Sequence, residues 1–343
     1  MRVAMYYAND DVRVEEAPIP GIGEGELLMR IEASGICGSD LMEWYRRDKV
    51  PLVLGHEVSG TVEKIGTGVG KYKVGDRIVV SHHVPCNSCD YCQRGDHTVC
   101  ETLQKGTHFD PGGFAEFLRV PAINAEKGVY LIPEGVDFPE ATFAEPLACV
   151  LRGQEKIHLG KGHSVFVIGS GISGLLHIAL AKARGADRII AADISGFRLG
   201  AARKFGADEA IAADENLAAN MIAANNGKKA DRVILCTGAL SAVTATLESV
   251  EHGGTVLFFA PTNEGEELPF SINKVFWKTE VTLTTTYAGA PPDHVKALEL
   301  IRDNAIPVKE MITHTLPLAD IQRGFDLVAT GDESIKVIIQ PQV

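Results

Sequence analysis

Four thiols crowd into fifteen positions of this 343-residue chain: Cys86, Cys89, Cys92 and Cys100. Two-residue spacers let a looping segment wrap a cation, and Zn2+ takes four thiolates tetrahedrally at about 2.3 Å. Three close thiols and a fourth a little farther on suit a closed, structural site with no open coordination position. An iron–sulfur cluster or free thiols gathered by chance are the other readings. Cluster ligand sets usually carry a more distant fourth Cys or a Cys-Pro ending, and this segment has neither. The chain holds seven cysteines, an odd number that fits a disulfide framework poorly, and clustered thiols in a reducing compartment point to metal.

A second chemistry-bearing segment is Gly169-Ser170-Gly171-Ile172-Ser173-Gly174. It follows the apolar run Ser164 to Ile168 and leads into Leu175 to Arg184, which has helical composition. Gly169 allows the tight turn, Gly171 lets the backbone approach a pyrophosphate, and Gly174 lets helix pack on strand. The helix N-terminus then stabilises the phosphate charge. Asp193 lies 19 residues past Gly174, at the end of the next apolar run. Its carboxylate can accept hydrogen bonds from both ribose hydroxyls and repels a 2′-phosphate, which favours NAD over NADP. Arg198 is placed to stack on adenine or, second, to pair with a phosphate.

A third set is scattered. Cys37 sits in Gly35-Ile-Cys-Gly-Ser-Asp40, His56 and Glu57 in Gly55-His-Glu-Val-Ser-Gly60, and Glu145 in Ala144-Glu-Pro-Leu147. One Cys, one His and one or two carboxylates leave room for water or substrate, as a catalytic zinc requires. Taken singly, each has a plain structural reading: a small core thiol, a hydrogen-bonded imidazole. No spacing connects them.

Two kinds of element must position these groups. The first 150 or so residues are rich in Gly, Pro and short β-branched runs; Leu27 to Ile31, Glu57 to Ile65 and Arg77 to Val80 read as strands. Pro20-Gly21, Gly66-Thr67-Gly68 and Lys73 to Asp76 read as turns between them. The pattern predicts a β-barrel-like domain. After Arg152 it changes: Ser164 to Ile168, Arg188 to Ala192, Asp231 to Cys236 and Gly254 to Phe259 read as strands, with helices at 175–184 and 197–205 between them. Strand–helix alternation predicts a parallel sheet covered on both faces, the α/β doubly wound class. A helix from Asp293 to Asp303 and segments ending in Ser334 to Ile339 are expected to return to the first domain. The predicted division is 1–152 with 288–343, carrying a zinc lobe at about 84–102, and 153–287.

Composition bounds the rest. With 45% hydrophobic and 23% charged residues the chain reads as globular rather than disordered. No apolar run approaches the roughly 18 residues that span a bilayer, and the acidic turn after MRVAMYYAN does not continue as an export signal. A formal charge of -12 without a long basic run argues against nucleic acid. The expectation is a cytoplasmic protein with neither nucleic-acid nor membrane partners.

Taken in order, these motifs resemble the zinc-containing medium-chain dehydrogenase superfamily over essentially the whole chain. The chain looks most like the polyol branch typified by sorbitol dehydrogenase, which has a Glu in the Glu-Pro motif, here Glu145; Leu235-Cys-Thr-Gly-Ala239 and Asp193-Ile-Ser-Gly-Phe-Arg198 look similar too. The resemblance implies a Rossmann domain beside a GroES-like catalytic domain, two Zn2+ per chain, and NAD bound at Gly169, Ser170, Gly171, Ile172, Gly174, Asp193, Arg198 and Thr237. It also implies that Cys37, His56 and Glu145 bind the catalytic zinc, with Glu57 close enough to coordinate directly or through water. Asp40 would orient His56. Ser39 would hydrogen-bond the substrate hydroxyl and pass its proton towards the nicotinamide ribose. Many relatives carry a His three residues after this Ser; here the position is Met42, so the proton must leave through water, Glu57 or another group. Trp44 and Tyr45 either shape the substrate pocket or pack.

The implied reaction moves hydride between a secondary alcohol, polyol or sugar and NAD, giving the ketone. Threonine 3-dehydrogenase or aldose 1-dehydrogenase chemistry on the same scaffold is the nearest alternative. A non-enzymatic dinucleotide-binding protein is the alternative from another class, and retention of Cys37, His56 and Glu145 argues against it. A homo-oligomer, tetramer or dimer, is also implied.

Overall fold

The computed structural model describes residues 1–106, 109–268 and 270–343. Two compact units divide the chain: Met1–Ala148 with Ala288–Val343, and Cys149–Tyr287. The break falls inside the helix Ala144–Lys156, so the change of composition after Arg152 comes a helical turn later than the change of unit. No helix among the described residues is long and apolar enough to cross a membrane.

In the unit Cys149–Tyr287, six strands pair in the spatial order Glu209–Ala212, Arg188–Asp193, Ser164–Ile168, Ala230–Leu235, Val250–Phe258, Thr282–Thr285. Every pairing is parallel. Counted along the chain the order is 3-2-1-4-5-6, the doubly wound arrangement, with its reversal between Ser164–Ile168 and Ala230–Leu235. Helices cover both faces of such a sheet, which is why central strands read as unbroken apolar runs rather than alternating ones. Val165, Phe166, Val167 and Ile168 are all buried. Phe166 and Ile168 pack with Val233, Leu235 and Val256 in one core.

The other unit is mainly antiparallel. Its larger sheet runs Ile312–Pro317, Lys336–Gln340, Leu27–Gly35, Glu57–Ile65, Arg77–Val80, Val129–Leu131, with Phe117–Val120 also paired to Leu27–Gly35. Alternation along Leu27–Gly35 sends Leu27, Met29 and Ile31 into a core with Val58, Val62, Ile78 and Leu118. A smaller sheet, Asp11–Glu16, Arg2–Ala8 and Leu52–Val53, contributes Tyr6 to a second core. There the Phe325 ring lies 5.9 Å from Tyr6 and 6.0 Å from Phe114.

Register in the larger sheet decides what meets at its end. Gly35 pairs with Glu57 on one side and with Ile338 on the other. A Cβ at Gly35 would come 2.1 Å from the Glu57 carboxylate and 2.7 Å from Lys336 Cε. Only glycine fits between those two side chains.

Candidate metal centre and dinucleotide cleft

Cys37 follows the strand Leu27–Gly35 and caps the short 3-10 helix Gly38–Leu41. Its backbone N–H donates to Asp40 Oδ2 at 3.0 Å, and the Ser39 hydroxyl donates to its Sγ at 3.4 Å. His56 immediately precedes the strand Glu57–Ile65, so sheet register carries it to the same end. Cys37, His56 and Glu57 each present one ligand atom, all within 4.8 Å of one another. Sulfur, nitrogen and carboxylate oxygen together form a donor set that suits Zn2+.

Asp40 is buried behind this trio, its Oδ1 3.4 Å from His56 Nδ1. Burial disfavours a charged His56, yet the adjacent Asp40 carboxylate and hydrogen bonding to Asp40 and Cys37 raise its pKa well above 6.5. Burial works against the Asp40 charge too; His56, the Cys37 N–H and Arg46 nevertheless hold its pKa below the usual carboxylate value.

Glu57 is committed on its other side. Its Oε2 accepts from the Lys336 ammonium, which also donates to the Ile36 carbonyl at 3.1 Å. Both side chains are buried. Glu145, in the first turn of Ala144–Lys156, falls into a different trio: its carboxylate lies within 4.8 Å of ligand atoms of His82 and His83. The His82 ring in turn sits 4.8 Å from that of His56. Trp44 and Tyr45 meet edge to face at 5.9 Å. Tyr45 is turned to the surface beneath Arg46 and Lys49, which stack on its ring at 4.7 and 3.9 Å.

The four thiols of the loop converge as well. Cys86 and Cys92 sulfurs are 3.9 Å apart, and those of Cys89 and Cys92 3.6 Å. A tetrahedral ion with bonds of about 2.3 Å has sulfur–sulfur edges of about 3.8 Å, so the spacing fits Zn2+ closely. Hydrogen bonds from Ser88, and then from the Cys89 N–H, bring the Cys86 thiol down to about 5, while burial pushes Cys92 up to about 12. Four sulfurs this close present the soft donor set that Zn2+ takes tetrahedrally.

In the other unit, the helix Ile172–Ala183 starts directly at the glycine turn. Gly169 has φ +91, a backbone conformation open to glycine, and a Cβ at Gly174 would strike the Gly169 carbonyl at 1.9 Å. A Cβ at Gly171 would meet no atom within 4 Å, leaving open space for a phosphate. Asp193 is buried, and its two oxygens accept the N–H groups of Ser170 at 2.7 Å and Ser195 at 2.9 Å. A cleft of about 610 Å³ is lined by Gly169, Gly171, Asp193, Ile194, Arg198 and Thr237, among others. Ser170 is buried and Ile172 lies in the first turn of the helix.

Four neighbours of these sites escape the sequence reading. His82 and His83 stand just beyond the strand Arg77–Val80, and a pair of imidazoles past a strand end is the available signal. Lys336 is a cation inside the apolar run Ile335 to Ile339, an oddity that announces a buried partner. Ile194, 85% exposed beside Asp193, is an apolar residue placed where a flat ring could rest.

Two family models match the chain: the alcohol dehydrogenase GroES-like domain over residues 23–134, and the zinc-binding dehydrogenase over residues 173–303. Both halves are thus those of a zinc-dependent oxidoreductase. The D-arabinitol dehydrogenase 1 of Uromyces fabae is 31% identical, covering 98% of this chain and 97% of its own. Human sorbitol dehydrogenase is 30% identical, covering 94% and 90%. The chain therefore belongs to the zinc-containing medium-chain dehydrogenases, on their sorbitol dehydrogenase-like polyol branch. Among solved structures, a short chain alcohol dehydrogenase from E. coli CFT073 complexed with NADH superposes with TM-score 0.87 at 25% identity, covering 99% of both chains. A zinc-binding dehydrogenase from Sinorhizobium meliloti 1021 bound to NADP gives 0.86 at 27%, again covering 99% of both.

Proposed function

We propose that the chain oxidises a secondary hydroxyl of a polyol or similar small alcohol to the ketone, with NAD as hydride acceptor. The convergence of Cys37, His56 and Glu57 in front of a buried Asp40 carries the reading. When bound, zinc supplies Lewis acidity that makes a substrate hydroxyl easier to ionise, and NAD supplies the hydride acceptor.

The residues have separate tasks. Cys37 and His56 hold the ion, with Glu57 in the same trio and Glu145 the further ligand that the family pattern implies. Asp40 faces Nδ1 of His56, fixing the ring so that Nε2 is the ligand atom. Ser39, hydrogen-bonded to Cys37, would relay the hydroxyl proton, passing its own proton on as it receives the substrate's. Met42 offers no titratable group to receive it next, so the proton passes to water. Cys86, Cys89, Cys92 and Cys100 hold the structural ion.

NAD rather than NADP is supported by the buried Asp193, whose charge opposes a 2′-phosphate. Gly169, Ser170, Gly171, Ile172 and Gly174 form the pyrophosphate turn, Thr237 borders it, and Arg198 and Ile194 flank the adenine. The protein acts in the cytoplasm as a homo-oligomer. The exposed Ile272, Phe276 and Trp277 support an association face, which sedimentation at several concentrations tests.

The deciding experiment is a panel of polyols, diols, aldoses and hydroxy-amino acids, followed by coenzyme absorbance with NAD and with NADP. Turnover of a polyol with NAD supports the reading; turnover confined to threonine or to an aldose, or preference for NADP, overturns it.

A further inference from the structure

Next to the Cys37 trio lies a second set of candidate metal-binding side chains, two of which, His82 and His83, the reaction as read does not use. His82, His83 and Glu145 present two imidazole nitrogens and one carboxylate oxygen, all within 4.8 Å of one another. The two imidazoles are tilted by 39° with centroids 3.6 Å apart, and Glu145 is 7% exposed. Two nitrogens and a carboxylate, with positions left for water, form a recurrent set for Zn2+ and Co2+. Ligand atoms around such an ion stand about 3.3 Å apart, within reach of small side-chain rotations from the present spacing.

The two trios adjoin, because the His82 ring contacts that of His56 at 4.8 Å. Two dications that close would repel strongly in a partly buried site. A single ion shared between the two trios avoids that repulsion.

We propose that His82, His83 and Glu145 form a standby position for the catalytic ion, adjoining the Cys37–His56–Glu57 position. The inference rests on the reading of Cys37 and His56 as ligands of that ion. An ion at the standby position is held by nitrogen and oxygen alone, and Glu145, which the family pattern assigns to the catalytic ion, is the ligand that links the two positions. Loss of the Cys37 thiolate then displaces the ion by one step without releasing it.

Cobalt loading under reducing conditions tests this, with metal counted after gel filtration and thiolate-to-cobalt absorbance recorded. Wild type should retain about two Co2+ per chain, one of them in the four-thiol loop. Cys37→Ser should still retain about two, with weaker thiolate absorbance. Adding His82→Gln and His83→Gln to Cys37→Ser should leave about one; His82→Gln alone in that background, checked for folding by its melting curve, should weaken retention of the second ion. A drop to one ion in Cys37→Ser itself, or two ions retained in the triple variant, overturns the proposal. Thiolate absorbance unchanged by Cys37→Ser would instead overturn the catalytic-ligand reading, while the triple-variant count still decides the standby position.

Discussion

Lys336 and Glu57 form a buried ion pair at the back of the metal centre, joined through a gap that Gly35 keeps open. Removing one partner of such a pair leaves an unpaired buried charge, typically at a cost of about 3–5 kcal/mol. Lys336→Met should therefore lower unfolding free energy by about that much in urea. Glu57→Gln combined with Lys336→Met should recover most of it. A double variant whose loss equals the sum of the Lys336→Met and Glu57→Gln losses would show that the pair is not coupled.

Asp193 both faces the cleft and fastens the turn, through the Ser170 and Ser195 N–H groups. Asp193→Asn keeps an acceptor while removing the charge. Hydrogen bonds to charged groups contribute about 1.5–3 kcal/mol, so kcat/KM for NAD should fall roughly 10- to 100-fold. Activity with NADP should fall less, and the preference between the coenzymes should narrow. An unchanged coenzyme ratio would remove Asp193 from the discrimination.

The thiol loop has only a small apolar core of its own, Leu103 with the buried Cys92 and Cys100. On the proposed reading, a bound ion supplies the order that so small a core does not. Cys100→Ser should cost about 2–4 kcal/mol, lowering Tm by roughly 5–15 °C, and should open the loop to proteolysis between residues 86 and 100. Protease resistance equal to wild type after loss of the metal would contradict a structural ion here.

His294 belongs to neither metal-binding trio. Burial lowers its pKa to about 4, partly offset by its contact with the Ala290 carbonyl, and its ring stacks on Tyr130 at 5.1 Å. The unfolded chain, with an ordinary value of 6.5, binds the proton more tightly than the folded one. Stability from this group is thus complete above pH 6.5 and is lost as pH falls towards about 4. One pKa unit is about 1.4 kcal/mol, so the loss approaches about 3.5 kcal/mol once pH lies below both values. His294→Phe should flatten the stability profile of this unit between pH 7 and pH 4; an unaltered slope would assign that dependence elsewhere.

The sequence announces what is local. Ser164–Ile168 is legible because a doubly covered strand is apolar throughout, and Glu57–Ile65 because Gly66-Thr67-Gly68 ends it. Helix starts are less visible: Ile172–Ala183 begins inside the glycine motif, and Pro291–Arg302 begins on its prolines, two residues before the acidic Asp293 that marks it in the sequence. The thiol loop is legible from spacing alone. The other candidate metal centre is not, since Cys37, His56 and Glu57 meet through strand register, which no short-range pattern encodes. Lys336 is 279 residues from Glu57. Its role appears only when the Lys336–Gln340 strand is seen beside Leu27–Gly35.

That distance also has a meaning during synthesis. The unit holding the metal centre is discontinuous, and all of Cys149–Tyr287 is translated between its two parts. A nascent chain presents Cys37, His56 and Glu57 long before Lys336 exists. Until then Glu57 has no buried counter-charge, and the sheet lacks the strand that closes it against Gly35. The dinucleotide-binding unit can fold on the ribosome ahead of its neighbour. The Lys336–Glu57 pair behind the candidate metal centre is thus completed only after the whole of Cys149–Tyr287 has been synthesised.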